Sequence, residues 1–230
     1  MQEVSVIIPN YNGMAYLEGV LSSLEQQEFQ NFETILVDNG SSDGSVAFTM
    51  GNYPWVHIIE LPDNFGFSRA VNEGIYAARA PYVLLLNNDT EVDRYFVGEM
   101  LAAIKRHRRA FSCSARMICY HDRDKLDDAG NYYCALGWAF ARGKGKDIRH
   151  YDREQKIFST CAGAAIYRKK FIDRIGDFDE EHFAYLEDLD IGYRARICGY
   201  QNWYAPKAKV YHVGSGTSGS RYNQFKIRYS

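Results

Sequence analysis

The sequence predicts an α/β fold in which a mainly parallel central sheet is flanked by helices. The first observation is that short β-branched runs alternate with segments of helical periodicity in the first half of the chain. Such alternation implies βαβ units, whose strands run parallel. The second is that a polar or turn-forming group ends each of these runs. The third is the composition: 230 residues, 46% hydrophobic and 24% charged, are typical of one globular domain.

In the first half, four strands and four helices are predicted in alternation. The strands are residues 4–8, 34–37, 56–61 and 82–86. Apolar residues at helical spacing place helices over residues 17–24, 70–78 and 96–104, and the turn-rich stretch 39–44 opens a short additional helix. Each strand is a continuous apolar run, as expected when helices cover both faces of the sheet.

The second half is less regular, and we expect a smaller portion there. Strands are predicted over residues 111–118, 160–167, 202–205 and 209–212, and helices over residues 169–175 and 187–198. Residues 119–158 show no sustained period and are interpreted as a loop or small excursion. The Gly/Ser-rich residues 214–220 are expected to be flexible.

Composition excludes several classes of protein. Lys plus Arg is 27 and Asp plus Glu is 29, so the net charge is −2 and general nucleic-acid binding is not expected. Five cysteines without a C-x-x-C pair argue against a zinc site or a disulfide framework. We find no signal-peptide pattern and no membrane-length apolar run, so a cytoplasmic protein is expected. The basic residues 105–109 are interpreted as a solvated helix end, with contact to an anionic membrane surface as the alternative.

Polar side chains follow all four predicted strands of the first half. They are Pro9, Asn10, Tyr11, Asn12, Asp38, Asn39, Asp63, Asn64, Asn87, Asn88 and Asp89. Because the carboxyl ends of parallel strands meet at one edge of a sheet, these groups are expected to converge on a ligand site. The alternative is that each group is simply a turn former or a helix cap.

Three positions suggest specific chemistry. Asp89 follows a buried strand, and one carboxylate can hold Mg²⁺ or Mn²⁺ when a diphosphate supplies further oxygens. Glu187 and Asp188 lie at a predicted helix start, where one of them could act as a general base or both could complement the helix dipole. His212 ends a strand pattern and is either structural or a metal ligand. Arg69 opens a helix without the glycine spacing of a dinucleotide or P-loop site, so it contacts either a phosphate or solvent.

Five motifs in this order resemble family 2 glycosyltransferases, which have the Rossmann-like GT-A fold. They are residues 4–12, 36–44, 64–67, 87–89 and 187–190. The Asn-Asn-Asp form of the fourth motif and the Asn-x-Gly-Phe third motif resemble the rhamnosyltransferase-like bacterial branch. The resemblance covers nearly the whole chain, which we treat as one domain: residues 1–110 bind the nucleotide sugar, and residues 111–230 supply the acceptor side and the catalytic base.

The resemblance also implies roles for individual residues. Pro9, Asn10, Tyr11 and Asp38 correspond to the nucleoside-binding positions, and Asn64, Arg69, Asn87 and Asn88 are expected to join them. Asp89 corresponds to the metal-binding Asp and His212 to a possible second ligand, whereas Asn87 departs from the family's acidic residue. Asp188 corresponds to the base. Gly163, Ala164 and Glu187 are expected near the donor sugar, and Trp138 and Tyr185 are candidates for stacking on the acceptor.

The implied function is metal-dependent, inverting transfer of a hexosyl or deoxyhexosyl group. The donor would be a UDP-, dTDP- or GDP-sugar, and the acceptor a hydroxyl of a glycan or lipid-linked molecule in bacterial surface polysaccharide synthesis. Peripheral association with the inner face of the membrane is compatible with this function. The alternatives are a non-catalytic or truncated sugar-nucleotide-binding module and a sugar nucleotidyltransferase. Family members usually continue further beyond the position of His212, so we expect a C-terminal truncation.

Overall fold

A computed structural model describes residues 2–214, in which strands and helices alternate through the first half of the chain. The elements of this half are β1 (Val4–Asn10), α1 (Met14–Glu25), β2 (Phe32–Asn39), α2 (Ser45–Asn52), β3 (His57–Leu61), α3 (Phe67–Ala77), β4 (Tyr82–Leu86), β5 (Thr90–Val92) and α4 (Phe96–Arg106). All four predicted strands and all four predicted helices are present. The predicted α/β fold is confirmed.

The second half contains more strands than the sequence predicts. Its elements are β6 (Ala110–Cys119), β7 (Leu126–Asp128), β8 (Asn131–Tyr133), β9 (Ala139–Ala141), a 3₁₀ turn (Ile148–His150), β10 (Gln155–Ile157), β11 (Ala164–Arg168), α5 (Lys169–Ile175), α6 (Glu187–Ile197) and β12 (Gln201–His212). Beyond Gly214, the tail predicted to be flexible lies outside the described residues.

Eight strands form the main path of the central sheet, in the order β10-β12-β6-β11-β4-β1-β2-β3. β5 pairs with β12 and β7 pairs with β6, whereas β8 and β9 form a separate two-stranded sheet that Asn131 bridges to Ser159. The first four strands are parallel, as predicted. The later strands are mixed: β11 runs antiparallel to both of its neighbours, and β12 runs parallel to β6.

The order of the parallel strands creates a crevice at the site-bearing edge. β1 lies between β2 and β4. The chain therefore runs from β1 through β2 to β3 at the edge of the sheet, and then crosses back to form β4 on the other side of β1. Open α/β sheets bind ligands outside the carboxyl ends of their strands at such a switch point. Asn10 and Asn87 stand at the ends of the two strands that flank it.

Helices cover both faces of the sheet, as the continuous apolar strands predict. On one face, Val4, Val6 and Ile8 of β1 pack with the buried residues of α1 and α4. On the other face, Ile7 packs with buried residues of α3, α5 and α6. Among residues 2–214, no helix combines the length and the apolar character needed to cross a membrane.

The irregular region 119–158 differs most from the prediction. It folds into the short strands β7 to β10 around a small core that contains Leu126, Ile157 and Tyr204. A strand of three residues is too short to show periodicity in a sequence, so the sequence predicts a loop in this region. The two predicted strands at residues 202–205 and 209–212 form one continuous β12. Its register shifts between Ala205 and Lys209, a bulge that accommodates Pro206.

Gly74 sets the distance between α3 and the sheet. A Cβ atom at this position would collide with Cγ2 of Ile7 on β1. We expect Gly74→Ala to lower the free energy of unfolding by about 1–2 kcal/mol, because overpacking outweighs the gain in helix propensity. Chemical denaturation measures the change. In the control Gly51→Ala, the added methyl meets open space, so stability should stay level or rise by up to about 1 kcal/mol. Equal effects of the two substitutions would contradict this packing argument.

Candidate active site

A cavity of about 780 Å³ opens at the carboxyl ends of the parallel strands. It brings together twelve of the sequence-predicted site residues: Pro9, Asn10, Tyr11, Asn64, Asn87, Asn88, Asp89, Gly163, Tyr185, Glu187, Asp188 and His212. The first seven come from strand ends of the first half, and the other five come from the second half. The predicted convergence of distant motifs on one site is therefore present in the structure.

Asn10 links three strand ends at one side of the cavity. Its Nδ2 donates to Oδ1 of Asp38 at 2.9 Å and to Oγ of Ser45 at 3.0 Å. Its Oδ1 accepts from Nδ2 of Asn88 at 2.8 Å. A Cβ at Gly13 would collide with this asparagine pair, so the loop after β1 requires glycine there. Asn10 thus holds the ends of β1, β2 and β4 in register.

Asp38 lies behind the cavity wall and does not line it. Its Oδ1 accepts from Asn10, and its Oδ2 accepts from the backbone N–H of Ser41 at 2.9 Å. Each oxygen can accept a further hydrogen bond. In this structure the carboxylate orders the loop after β2. The nucleoside-binding role that the resemblance implies for Asp38 stays a prediction.

Asn39, a strand-end residue to which the sequence assigns no specific role, lines the cavity and positions the turn before α3. Its Nδ2 donates to Oδ1 of Asn64 at 3.0 Å and to the carbonyl of Gly66 at 2.9 Å. Gly66 has a φ of +89°, and a Cβ there would strike Phe183. The turn that precedes α3 therefore packs closely against the segment that leads into α6.

The start of α3 holds that segment in place. The backbone N–H of Phe67 donates to the carbonyl of Phe183 at 2.6 Å, and Oγ of Ser68 donates to the carbonyl of His182 at 2.6 Å. One turn further on, the side chain of Asn72 donates to the carbonyl of Phe178 and accepts from its N–H. These long-range bonds fix the approach of the chain to Glu187 and Asp188.

Glu187 and Asp188 face the cavity from the first turn of α6. Oδ2 of Asp188 accepts from the backbone N–H of Ala162 at 3.2 Å. Within the described residues, Oε2 of the buried Glu187 has no hydrogen-bond partner. Burial raises the pKa of both carboxyl groups, and the charge of Asp188 adds to the rise at Glu187. Groups poised in this way are suited to proton transfer near neutral pH.

The backbone just before this acidic pair is strained. Tyr185 and Leu186 have φ angles of +72° and +67°, a left-handed conformation that side chains with a Cβ rarely adopt. Such residues persist only where surrounding contacts enforce them, and they cluster at functional sites. The strain turns the chain abruptly, so that α6 begins with its acidic residues toward the cavity.

Asp89 and His212 meet because β12 pairs with β5, with His212 opposite Thr90. Nε2 of His212 lies 3.2 Å from Oδ1 of Asp89, and its Nδ1 lies 2.7 Å from Oδ2 of Asp127. Burial alone would lower the pKa of His212, but its bonds to the two carboxylates and their charges raise it to about 10. Burial would raise the pKa of Asp127, but His212 and Lys144 lower it to about 2.

This arrangement fits part of a divalent-metal site. Asp89 offers carboxylate oxygens, His212 offers Nε2, and Asp127 orients the imidazole through its other nitrogen, as carboxylates commonly do beside metal-bound histidines. To coordinate, His212 must give up its Nε2 proton. Among residues 2–214, no three His, Cys, Asp or Glu side chains are grouped as a metal site. Further oxygen ligands would have to come from a substrate.

Three predicted site residues lie away from the cavity lining, in addition to Asp38. Arg69 pairs with Glu73 at 2.6 Å and with Glu180 at 3.2 Å and does not line the cavity. Ala164 is fully buried within β11. Trp138 is exposed at the tip of the β8–β9 hairpin.

The cavity also has a wall that no sequence signal indicated. It is formed by Asp127, Asp128, Asn131, Ala139, Phe140, Ala141 and Lys144. All seven belong to the irregular region, where neither periodicity nor a motif distinguishes them from ordinary loop residues.

Comparisons with known proteins identify a family and a fold. The family model for glycosyl transferase family 2 matches residues 5–176. The chain is 26% identical over 237 residues to the N-acetylglucosaminyl-diphospho-decaprenol L-rhamnosyltransferase of Mycobacterium tuberculosis, covering 93% of this chain and 77% of that one. A putative teichuronic acid biosynthesis glycosyltransferase of Bacillus subtilis is 29% identical over 128 residues, 54% of this chain and 50% of that protein.

Solved structures share the fold. A crystal structure of GalNAc-T7 with UDP, GalNAc and Mn²⁺ superposes with a TM-score of 0.77 at 15% identity, covering 92% of this chain and 44% of that one. S. aureus TarS 1–349 in complex with UDP gives a TM-score of 0.68 at 20% identity, covering 91% of this chain and 60% of that one. The chain thus spans less than two thirds of either solved chain. At these identities, the likeness establishes the GT-A fold.

Proposed function

The chain belongs to glycosyl transferase family 2, and from that premise we propose that it transfers a sugar from a nucleoside-diphosphate donor to an acceptor hydroxyl with inversion at the anomeric carbon. We assign donor binding to the strand-end residues of the first half and the acceptor side to the second half. One relative is named as an L-rhamnosyltransferase of N-acetylglucosaminyl-diphospho-decaprenol, and another as a putative teichuronic acid biosynthesis glycosyltransferase. A lipid-linked glycan is accordingly the acceptor class that we propose.

One observation carries the proposal: the acidic start of α6 and the Asp89–His212 pair line the same cavity. A short chain of contacts links them. Asp188 accepts from the N–H of Ala162, and the carbonyl of the next residue, Gly163, accepts from the N–H of Asn87 at 2.9 Å. Asn87 lies two residues before Asp89. The residue that we propose as the base and the residues that we propose as cation ligands are therefore linked through one continuous scaffold.

In the proposed reaction, Asp188 accepts the proton of the acceptor hydroxyl. The hydroxyl oxygen forms a bond to the anomeric carbon while the bond from that carbon to the diphosphate oxygen breaks. The diphosphate leaves with the bonding electron pair. Attack opposite the leaving group inverts the anomeric configuration, and a single base suffices for this step. Gly163 lines the cavity where we place the donor sugar, and it allows the side chain of Asn87 to pack closely against it.

Asp89 and His212 would hold a divalent cation, either Mn²⁺ or Mg²⁺. When bound, such a cation neutralises charge that develops on the departing diphosphate. The Mn²⁺ in the GalNAc-T7 complex supports this proposal. Asp127 keeps the imidazole of His212 oriented, and the bond between Asn10 and Asn88 holds the ends of β1 and β4 beside the cavity.

The proposed function is tested by nucleoside-diphosphate release from a panel of UDP-, dTDP- and GDP-sugars. We expect one donor to stabilise the protein in a thermal-shift assay and to turn over with a polyprenyl-diphosphate glycan acceptor. EDTA should abolish turnover, and Mn²⁺ or Mg²⁺ should restore it. Donor binding without turnover for any acceptor would favour a sugar-nucleotide-binding module instead. Formation of a sugar nucleotide from a nucleoside triphosphate would indicate a nucleotidyltransferase.

The pH dependence of kcat/KM should report the base. Asp188 must be ionised to accept a proton, and burial raises its pKa from the ordinary value of 3.8. Activity should therefore fall as pH decreases, with the acidic limb well above pH 4. Stopped assays at constant ionic strength, with the metal saturating at each pH, measure this limb. An acidic limb at or below pH 4 would contradict the assignment of a raised pKa to the base.

A further inference from the structure

The β8–β9 hairpin is unusual in composition. Residues 132–141, here called the apolar hairpin, read Tyr-Tyr-Cys-Ala-Leu-Gly-Trp-Ala-Phe-Ala and contain no charged side chain. The two strands pair antiparallel with each other and stand apart from the central sheet. A bond from the N–H of Cys134 to the carbonyl of Trp138, at 3.0 Å, closes the tip.

The tip of the apolar hairpin is strongly exposed. Leu136 is 85% exposed, Trp138 is 66% exposed and Phe140 is 53% exposed. Soluble proteins expose single apolar side chains freely, but a contiguous group marks an interaction surface. The base of the hairpin is anchored on the domain, where Tyr133 stacks on Phe158 with ring centroids 4.7 Å apart. The exposed apolar tip therefore indicates a surface that acts against an apolar partner.

The charge near the hairpin points to the nature of that partner. Lys144 and Lys146 follow the hairpin and are exposed, although Lys144 also pairs with Asp127 at 3.0 Å. Arg142 is buried against the rings of Tyr151 and Tyr204 and does not contribute to this surface. Aromatic rings and aliphatic side chains next to cations are characteristic of segments that lie in the interface of an anionic membrane. The rings and the leucine enter the headgroup boundary, and the cations attract the surface charge.

The hairpin is also placed where membrane contact would serve the site. Ala139, Phe140 and Ala141 of β9 line the cavity, so the exposed tip projects beside its mouth. The basic run at residues 105–109, the other candidate for membrane contact, follows α4 toward the amino end of β6, at the opposite edge of the sheet. There Lys105 pairs with Glu3, and Arg106 pairs with Glu154.

We propose that the apolar hairpin inserts into the surface of an anionic lipid bilayer and holds the cavity mouth at the level of the lipid headgroups. The advantage of this position for a lipid-linked acceptor rests on the proposed function, whereas the insertion of the hairpin into the bilayer does not depend on it. A second copy of the chain is the competing occupant, and the experiment separates the two.

The experiment is vesicle co-sedimentation of the whole chain. We expect binding to vesicles of phosphatidylglycerol and phosphatidylcholine, weaker binding to phosphatidylcholine alone, and weakening by salt. The double substitution Leu136→Asp with Trp138→Asp should lower the partition coefficient about tenfold or more, because it removes two interfacial side chains and adds negative charge. The control is Ile197→Asp at the end of α6, 71% exposed, which should bind like the unmodified chain.

A second readout does not depend on the charged variants folding. Brominated lipid should quench the tryptophan fluorescence of the unmodified chain, and Trp138→Phe should remove most of that quenching. The proposal is overturned if the chain ignores anionic vesicles, if the double variant binds as before, or if a concentration-dependent dimer is lost in that variant without any vesicle binding. Vesicle binding without nucleoside-diphosphate release would instead refute the proposed function and leave the hairpin proposal standing.

Discussion

Asp188→Asn is expected to lower turnover by about 10²–10⁴-fold while donor affinity changes little, since a positioned general base contributes a factor of this size. An asparagine at position 188, at the start of α6, can still accept the hydrogen bond from the backbone N–H of Ala162. It cannot take the proton of the acceptor hydroxyl. Single-turnover kinetics and calorimetric titration with the donor nucleotide measure the two quantities separately.

The matched control for this substitution lies two residues further along α6. Asp190 forms an ion pair with Arg194 at 2.7 Å and does not line the active-site cavity. Asp190→Asn should therefore keep turnover within a few-fold of the unmodified chain. If Asp188→Asn instead lost donor binding and turnover to the same extent, Asp188 would be a structural residue and the base would have to lie elsewhere.

Asp89→Asn is expected to have the second largest effect, because it removes the only carboxylate that we assign to the cation. We expect Mn²⁺ affinity to fall by more than about 100-fold, whereas Asp127→Asn, which alters the carboxylate that orients His212 and pairs with Lys144, should lower it by about 10–100-fold. Free Mn²⁺ measured by electron paramagnetic resonance gives affinity without any need for turnover. Activity as a function of Mn²⁺ concentration should shift in the same order.

The control for the metal prediction is Glu91→Gln. Glu91 lies on β5, two residues after Asp89, and its Oε1 accepts from the hydroxyl of Tyr120 at 2.8 Å, away from the cavity. This variant should bind Mn²⁺ normally. Unchanged Mn²⁺ affinity in Asp89→Asn would remove the metal assignment, and a stronger effect of Asp127→Asn than of Asp89→Asn would exchange their roles.

Much of the site could be predicted because its donor-side residues follow strands that the local sequence pattern identifies. Each strand of the parallel set ends in a polar group, and the rule that parallel strands share one carboxyl edge brings Asn10, Asn64 and Asn87 together without knowledge of the coordinates. Asp188 and His212 could be identified only through the resemblance of ordered motifs to a family. Local pattern alone left a helix-dipole role for the first and a structural role for the second.

The prediction did not extend to contacts made by side chains across long sequence separations. Asp127 orients His212 from 85 residues away, and the sequence around it carries no period. Arg69 lies at the predicted helix start but is drawn to Glu73 and Glu180, because two nearby carboxylates neutralise it on the protein surface. Which charged side chains pair with one another depends on how the folded chain brings them together.

By itself, the sequence determined the alternation of strands and helices, the parallel first half and the polar edge, since these follow from hydrophobic period and strand polarity. Only the tertiary structure decided the pairing of β12 with β5, the strained turn before Glu187 and the exposure of the apolar hairpin. The physical reason is distance along the chain. Periodicity reports how a segment meets its immediate neighbours, whereas these three features depend on segments that meet only after the whole domain has closed.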